Sequence, residues 1–216
     1  MANRLALPPL YVILDAALLP NDPVEYLKKL MEAGARLFQY RNKTESSREL
    51  LQAAQSLCST AREGNATFIV NDRADIARLV WASGVHVGQE DVEVSAARAI
   101  VGSEALVGVS THSLGQFRAA AQTDADYIAI GPVFETRSKD KPDPVVGLEL
   151  ILEARKLTTK PIVAIGGITL ERAPEVLRAG ADTVAVISDI WTSRNPVARV
   201  KQYLEILPAA AQHAGN

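Results

Sequence analysis

The chain has 216 residues, of which 48% are hydrophobic and 22% are charged, and its formal net charge is −2. These values are typical of a soluble globular protein that buries a core without disulfides or metal support. The weak net charge excludes a global field for nucleic acid or an anionic membrane surface, and an aromatic content of 5% argues against base stacking. A local basic site for a small anion is compatible with this composition.

The single cysteine, Cys58, excludes an intrachain disulfide and a cysteine-cluster metal site. It lies in a segment with helical periodicity, where we interpret it as a small buried hydrophobe. No run approaches the roughly 18 consecutive apolar residues that a membrane-spanning helix needs. The N-terminal stretch carries consecutive prolines and no small-residue cleavage site, so we expect no signal peptide and a cytoplasmic protein.

Short apolar runs rich in β-branched residues recur along the chain. Each run is apolar on both faces, which is typical of a parallel strand covered on both sides. The predicted strands are LYVILD (10–15), ARLFQYR (35–41), ATFIVN (66–71), GVHVG (84–88), ALVGVS (105–110), DYIAIG (126–131), PIVAIG (161–166) and TVAVIS (183–188).

A segment with helical spacing of its apolar residues follows each predicted strand. The predicted helices are 23–35, 46–64, 73–84, 92–102, 113–123, 147–157, 170–180 and 196–207. Several end in a glycine that we expect to adopt the left-handed conformation of a C-cap. These glycines are Gly34, Gly64, Gly84 and Gly180.

Strict alternation of strands and helices predicts a parallel sheet. Eight units in so short a chain favour a closed (β/α)8 TIM barrel over a doubly wound open sheet. Because the composition does not change along the chain, we expect one barrel domain over residues 1–216. The connection PVFETRSKDKPDPVVG (132–147) lacks helical periodicity, and long irregular connections are usually functional. We expect it to close over bound ligands and exclude water.

Polar residues concentrate where the predicted strands end, which is where TIM barrels carry their chemistry. Gln39, Arg41 and Lys43 alternate with a period of two, so an extended segment places all three on one side. Arginine and lysine side chains clamp phosphate oxygens. The alternative interpretation of these residues is a solvent-exposed strand end.

Two carboxylates, Asp72 and Asp91, follow neighbouring predicted strands. Beside a phosphate they suit Mg²⁺, which prefers hard oxygen ligands and often takes few of them from protein. Because each precedes a helical segment, the alternative interpretation is a helix N-cap. Together with Lys139 in the long connection, the rim combines cations and carboxylates in the way that a metal pyrophosphate requires.

Gly166 and Gly167 follow strand seven and precede a short helix, so backbone N–H groups there are expected to approach an anion. Loops after strands seven and eight frequently bind phosphate in TIM barrels. A pyrophosphate near strands two to four and a monophosphate near strands seven and eight would then share one pocket. Since pyrophosphate activated by Mg²⁺ is a good leaving group, this arrangement indicates transfer chemistry between two substrates.

No nucleophile arrangement stands out among the candidate residues. His86 is interpreted as packing inside the barrel with its N–H satisfied, whereas His112 is either a site residue or a structural one.

Seven motifs resemble, in order, those of the thiamine-phosphate synthase family over about residues 10–190. They are FQYRNK, FIVNDR, GVHVGQED, VGVSTHS, DYIAIGPVFETRSK, PIVAIGGI and VAVIS. This resemblance implies a (β/α)8 barrel that joins 4-amino-2-methyl-5-hydroxymethylpyrimidine diphosphate to 4-methyl-5-(2-hydroxyethyl)thiazole phosphate. The products would be thiamine phosphate and pyrophosphate, and Mg²⁺ would be required. The implied partners are these two small phosphorylated substrates.

The resemblance also implies a role for each candidate residue. The pyrimidine diphosphate would be bound by Gln39, Tyr40, Arg41, Asn42, Lys43, Asn71, Ser110 and Lys139, with Ser110 at the pyrimidine amino group. The thiazole phosphate would be bound by Thr136, Arg137, Ser138, Gly167, Ile187 and Ser188. Mg²⁺ would be bound by Asp72 and Asp91, and the catalytic residues would be Lys139, Arg41, Lys43 and Ser110.

Two alternative functions accompany this interpretation. A related thiazole tautomerase shares the barrel and would use His112 as its acid or base, but it would not need the intact Asn-Asp and Gly-Gln-Glu-Asp motifs that this sequence retains. The other alternative is a non-catalytic sensor of a phosphorylated ligand. Mg²⁺-dependent pyrophosphate release distinguishes the synthase from both.

Overall fold

Eight parallel strands close into a barrel in the computed structural model, which describes residues 5–44, 46–136 and 143–212. The strands are β1 Leu10–Asp15, β2 Leu37–Arg41, β3 Thr67–Asn71, β4 Gly84–Val87, β5 Leu106–Thr111, β6 Tyr127–Ile130, β7 Ile162–Ala164 and β8 Thr183–Val186. They follow one another around the barrel in chain order, and β8 pairs with β1 to close it. The predicted TIM barrel is confirmed.

Helices connect consecutive strands and surround the barrel. They are α1 Pro23–Glu32, α2 Ser47–Glu63, α3 Ala74–Leu79, α4 Val94–Val101, α5 Leu114–Ala121, α6 Gly147–Arg155, α7 Ala173–Arg178, α8 Ser188–Trp191 and α9 Pro196–Gln212. The short helix α8 was not predicted, and it begins almost directly after β8. Within the described ranges, the structure contains no helix of the length and apolarity that crossing a membrane requires.

The C-cap prediction is correct for Gly34 and Gly180, which both have φ of 108°. It is wrong for Gly64, whose φ is −85°. The left-handed residue there is Asn65, with φ of 51°, because its short polar side chain tolerates this conformation. A Cβ at position 64 would overlap the end of the Met31 side chain, so a larger residue there requires that flexible side chain to shift. Gly84 lies within β4 and caps no helix.

The hydrophobic core has two layers because alternate residues of each strand point to opposite faces of the sheet. Leu10, Val12 and Leu14 pack outward against the helices. Tyr11 and Ile13 pack inside the barrel. The inner layer is completed by Leu37, Ile69, Tyr127, Ala129, Val163 and Ala185. Both faces of the sheet are therefore covered, as the apolar strand composition predicted.

Cys58 lies in the outer layer, where it is 3% exposed, and its Sγ lies 3.4 Å from the carbonyl oxygen of Val80. Its interpretation as a small buried hydrophobe is confirmed.

The junction between the first and last strands is reinforced by side chains. Thr183 Oγ1 donates to the carbonyl oxygen of Pro8 at 3.0 Å. The indole Nε1 of Trp191, in α8, donates to the carbonyl oxygen of Ile13 in β1 at 2.7 Å. These bonds fix α8, and with it Ser188, at the end of the barrel where the strands terminate.

Candidate active site

A pocket of about 150 Å³ lies where the strands end. Many residues that the sequence analysis selected line it, although they come from six different strand ends or the loops beyond them. These are Gln39, Arg41, Asn71, Ser110, Thr136, Gly167, Ile187 and Ser188. The barrel therefore brings together the two groups of residues that were assigned to a diphosphate and to a monophosphate.

The other selected residues lie beside the pocket lining or outside the described chain. Tyr40 is 3% exposed in the outer core layer, and its hydroxyl accepts a hydrogen bond from Asn42 Nδ2 at 3.1 Å. Neither of these two side chains lines the pocket, because both alternate away from the face that carries Gln39 and Arg41. Arg137, Ser138 and Lys139 lie outside the described residues.

Each cation at the end of β2 is paired with a carboxylate. Arg41 donates to Asp15, the last residue of β1, whose side chain is only 9% exposed. Lys43 donates to Asp72, which directly follows β3. The parallel register places Asp15 opposite Arg41, which explains the first pair. Asp15 was not selected from the sequence, although it ends a predicted strand beside the others.

The Asp72 carboxylate lies next to that of Asp91. Burial raises the pKa of the Asp72 carboxyl, the hydrogen bond from Lys43 lowers it, and the neighbouring Asp91 raises it further. Asp72 itself has φ of 62°, so its backbone adopts the left-handed conformation. The Asp91 carboxylate is oriented by the backbone N–H of Gly88, which donates to its Oδ2 at 2.8 Å. Two carboxylates are thus held side by side.

The alternative interpretation of these aspartates as helix N-caps is wrong. The N-cap residue of α3 is Arg73, and that of α4 is Glu93. Neither helix has a side-chain cap hydrogen bond.

The carboxylate pair fits a magnesium ion in the chemistry of its donors. Mg²⁺ typically takes one or two protein carboxylates and completes its coordination with water and substrate phosphates. Among the described residues, no group of three or more His, Cys, Asp or Glu side chains forms a metal site. Asp72 and Asp91 therefore suit a metal that arrives with a phosphorylated ligand.

Polar side chains, of which all but that of Tyr127 line the pocket, form one continuous series of hydrogen bonds, which we call the interior chain. Gln39 Nε2 donates to the Tyr11 hydroxyl at 3.0 Å, and the hydroxyls of Tyr11 and Tyr127 are 3.1 Å apart. The Tyr127 hydroxyl lies 3.1 Å from His86 Nδ1, and His86 Nε2 lies 2.8 Å from Ser110 Oγ. The interior chain thus links Gln39 to Ser110, which both line the pocket.

His86 is 7% exposed, and burial lowers its pKa to about 4, so the imidazole is neutral at physiological pH. The prediction that it packs inside the barrel with its polar atoms satisfied is confirmed. The sequence analysis does not identify Tyr11 and Tyr127, because both lie within apolar strands. Their position two residues before Ile13 and Ala129, on the inward face of each strand, was the available signal.

The two glycines after β7 bring this loop against the connection that follows β6. Gly166 and Gly167 have φ of 89° and 67°, a conformation that favours glycine. A Cβ on Gly166 would overlap Pro132, and one on Gly167 would overlap the backbone of Phe134. Helix α7 begins only at Ala173, so the predicted short helix does not follow the glycines directly. The helix that begins at this rim is α8.

The family model for thiamine monophosphate synthase matches residues 10–190. The chain belongs to the thiamine-phosphate synthase family. It is 47% identical over 212 residues to the thiamine-phosphate synthase of Koribacter versatilis (strain Ellin345), a match that covers 96% of this chain and 99% of that one. It is 39% identical over 184 residues to the thiamine-phosphate synthase of Dictyoglomus thermophilum, covering 85% of this chain and 82% of that one.

The barrel is also similar to a solved structure, the thiamine phosphate pyrophosphorylase from Pyrococcus furiosus. The TM-score is 0.85 at 35% sequence identity, and the alignment covers 93% of this chain and 96% of that one. The family predicted from the ordered motifs is thereby confirmed, and with it the prediction that the chain is an enzyme of the transferase class.

His112 also lines the pocket. Its Nδ1 lies 2.5 Å from the carbonyl oxygen of Gly131, and its Nε2 lies 3.5 Å from Asp143 Oδ2. The structure therefore places His112 in the site. The tautomerase alternative does not require the Asp72 and Asp91 pair that the structure assembles.

Proposed function

We propose that this chain condenses 4-amino-2-methyl-5-hydroxymethylpyrimidine diphosphate with 4-methyl-5-(2-hydroxyethyl)thiazole phosphate, giving thiamine phosphate and pyrophosphate. The observation that carries the proposal is the single pocket that joins the ends of β2 and β3 to those of β7 and β8. Arg41 and Asn71 line one side, while Gly167 and Ser188 line the other. Membership of the thiamine-phosphate synthase family supports the same two substrates.

The diphosphate binds, in this proposal, beside Arg41 and Lys43. Both cations are paired with carboxylates, and a bound diphosphate offers each of them an alternative anionic partner. Asp72 and Asp91 would hold Mg²⁺. The bound ion would neutralise negative charge on the departing pyrophosphate. Lys139 would add a further positive charge from the connection after β6, on the evidence of its sequence motif.

The thiazole phosphate binds on the opposite side of the pocket. Gly167, Ile187 and Ser188 line this side, and Thr136 approaches from the connection after β6. Gly167 has a positive φ, and its lack of a Cβ lets this loop lie against the backbone of Phe134 and Glu135 in the connection after β6. Arg137 and Ser138 follow Thr136 in the sequence and are proposed to contact the same phosphate.

The proposed reaction is dissociative. The bond between the pyrimidine methylene carbon and the diphosphate oxygen breaks, and its electron pair leaves with pyrophosphate. The electron-rich aminopyrimidine ring stabilises the resulting methylene cation, and the lone pair of the thiazole nitrogen then forms the new C–N bond. The protein stabilises charge and positions the two substrates, and it supplies no nucleophile. Apolar residues such as Ile13, Val163 and Ile165 form part of the pocket wall and limit the access of water to the cation.

Incubation with both substrates, with and without Mg²⁺, tests the proposal by following pyrophosphate. The synthase releases pyrophosphate and forms thiamine phosphate only when both substrates and Mg²⁺ are present. Conversion of the thiazole phosphate alone, without pyrophosphate release, would instead favour the tautomerase. Binding of either substrate without any turnover would favour the sensor.

A further inference from the structure

The interior chain crosses the barrel and uses side chains from five strands. Gln39 comes from β2, Tyr11 from β1, Tyr127 from β6, His86 from β4 and Ser110 from β5. Every link has a length of 2.8 to 3.1 Å. Both tyrosines are 1% exposed, so water does not compete for their hydroxyls. The family resemblance implies roles for Gln39 and Ser110, which end the series. It implies none for the three residues between them.

The direction of the hydrogen bonds follows from the number of protons on each group. The amide nitrogen of Gln39 only donates, so the Tyr11 oxygen accepts from it. A hydroxyl carries one proton, and the arrangement that gives every proton of the series an acceptor has Tyr11 donating to Tyr127. Tyr127 then donates its own proton to His86 Nδ1. Each donor thereby determines the direction of the next bond.

His86 passes this direction to the pocket. A neutral imidazole has one N–H, and Nδ1 acts as the acceptor, so the proton resides on Nε2. In that tautomer Nε2 donates to Ser110 Oγ, which lies 2.8 Å away. That bond uses one lone pair of the serine oxygen and does not use the hydroxyl proton. The proton of the Ser110 hydroxyl is therefore available to the pocket, which Ser110 lines.

We propose that the interior chain fixes the Ser110 hydroxyl as a hydrogen-bond donor toward a ring nitrogen of the aminopyrimidine, with Tyr127 and His86 as positioning residues. This inference rests on the proposed function for the identity of the ligand. The family resemblance implies a contact between Ser110 and the pyrimidine amino group. The proposal adds a second contact, in which Ser110 donates to a nitrogen of the ring.

The Tyr127 ring is held in position by its packing inside the barrel. Position 108 on β5 is a glycine, and a Cβ there would overlap the Tyr127 ring. The His86 and Tyr127 rings are nearly parallel, with centroids 5.5 Å apart and an interplanar angle of 24°. Tyr11 meets Tyr127 edge to face at 6.2 Å. These contacts hold both hydroxyls in line, so the direction of the interior chain does not depend on mobile side chains.

The tautomer of His86 is the first test, and it needs no substrate. Nitrogen-15 NMR of the uniformly labelled protein at neutral pH distinguishes an imidazole protonated on Nε2 from one protonated on Nδ1. We expect the Nε2–H form for His86, with its resonances assigned by their loss in His86→Gln. The Nδ1–H form would reverse the direction of the series and overturn the proposal. In Tyr127→Phe, which removes the donor to Nδ1, we expect the second tautomer to become populated.

Steady-state kinetics provide the second test. Tyr127→Phe is expected to raise the KM for the pyrimidine diphosphate about tenfold, which corresponds to one hydrogen bond of about 1.4 kcal/mol, and to leave the KM for the thiazole phosphate unchanged. Tyr203→Phe is the matched control, because this buried tyrosine donates to Asp189 at 2.8 Å outside the barrel. It should leave the KM for the pyrimidine diphosphate unchanged. Equal changes in both KM values for Tyr127→Phe would indicate a purely structural role and overturn the proposal.

A conservative replacement completes the test. His86→Gln keeps an N–H near the position of Nε2, whereas His86→Leu does not. We expect His86→Gln to retain more affinity for the pyrimidine diphosphate than His86→Leu, measured by calorimetry without the second substrate. Equal affinities would show that Ser110 needs no donor from position 86. If instead the wild-type protein shows the Nε2–H tautomer but forms no thiamine phosphate, the proposed function fails while the interior chain stands.

Discussion

Lys43 and Asp72 form an ion pair across the ends of β2 and β3. The same Asp72 carboxylate adjoins Asp91, so one carboxylate is shared between an ammonium group and a candidate metal position. Binding of a metal by the two aspartates would weaken the ion pair between Asp72 and Lys43. A diphosphate would then provide the Lys43 ammonium group with a new anionic partner. The metal and the diphosphate are therefore expected to bind cooperatively.

Asp72→Ala is expected to raise the Mg²⁺ concentration that gives half-maximal pyrophosphate release by at least about tenfold, since even outer partners of a metal contribute that much to affinity. Turnover at limiting Mg²⁺ should fall accordingly, and Asp91→Ala should behave in the same way. Asp75→Ala is the control, because Asp75 pairs with Arg73 on the exposed surface of α3 nearby. An unchanged Mg²⁺ requirement in both site variants would refute the metal assignment.

Lys139→Ala and Ser188→Ala are expected to affect different kinetic parameters. Negative charge builds on pyrophosphate as the C–O bond breaks. Loss of the Lys139 charge should therefore raise the activation free energy by about 2–4 kcal/mol and lower kcat. The thiazole phosphate gains no charge in the reaction, so Ser188→Ala should act mainly on its KM. Steady-state kinetics with each substrate varied separately measure both effects. An intact kcat in Lys139→Ala would contradict this division.

Gly167→Ala is expected to weaken thiazole phosphate binding, because a Cβ would overlap the backbone of Phe134 and displace the loop that lines the pocket. Gly102→Ala is the matched control. Gly102 also has a positive φ, 88°, but a Cβ there meets nothing within 4 Å. Both variants should lose about 1 kcal/mol of stability through backbone strain, Gly167→Ala should lose more through the overlap, and only Gly167→Ala should raise the KM for the thiazole phosphate. Equal KM values in the two variants would show that the loop tolerates the methyl group.

The stability of the protein is expected to fall between pH 6.5 and pH 4 through His86. Its pKa of about 4 in the folded protein lies below that of an exposed histidine, because the ring is buried. In this window the unfolded chain binds a proton that the folded protein does not bind, so the free energy of unfolding decreases by about 3 kcal/mol as the pH is lowered. Chemical denaturation of the wild type and of His86→Gln, which does not titrate, measures this difference. Parallel pH profiles would contradict it.

The strands were predictable because each is a short apolar run bounded by polar or turn residues. Every observed strand begins and ends within two residues of its predicted position. Helix α8 was not predictable, because the four residues Ser188–Trp191 are too few to show a helical period. The left-handed residue after α2 is Asn65 and not Gly64, and the sequence does not distinguish these neighbours because asparagine also tolerates this conformation.

The rim of the site followed from one rule, that TIM barrels carry chemistry at the carboxyl ends of their strands. Gln39, Asn71 and Ser110 were found in this way, and all three line the pocket. The interior chain was not found, because the distance between Tyr11 and Tyr127 is set by closure of the barrel and not by local sequence. Asp15 was overlooked at the end of an apolar strand, where its partner Arg41 becomes visible only through the register of β1 with β2.

Pairing of β1 with β8 has a consequence for synthesis of the protein. The ribosome makes β1 first and β8 last, and β1 has only β2 as a neighbour until β8 emerges. During most of translation the nascent sheet therefore exposes two unpaired edges, which are templates for association with other chains. Closure of the barrel consequently follows the emergence of β8, and chains truncated before β8 retain both edges.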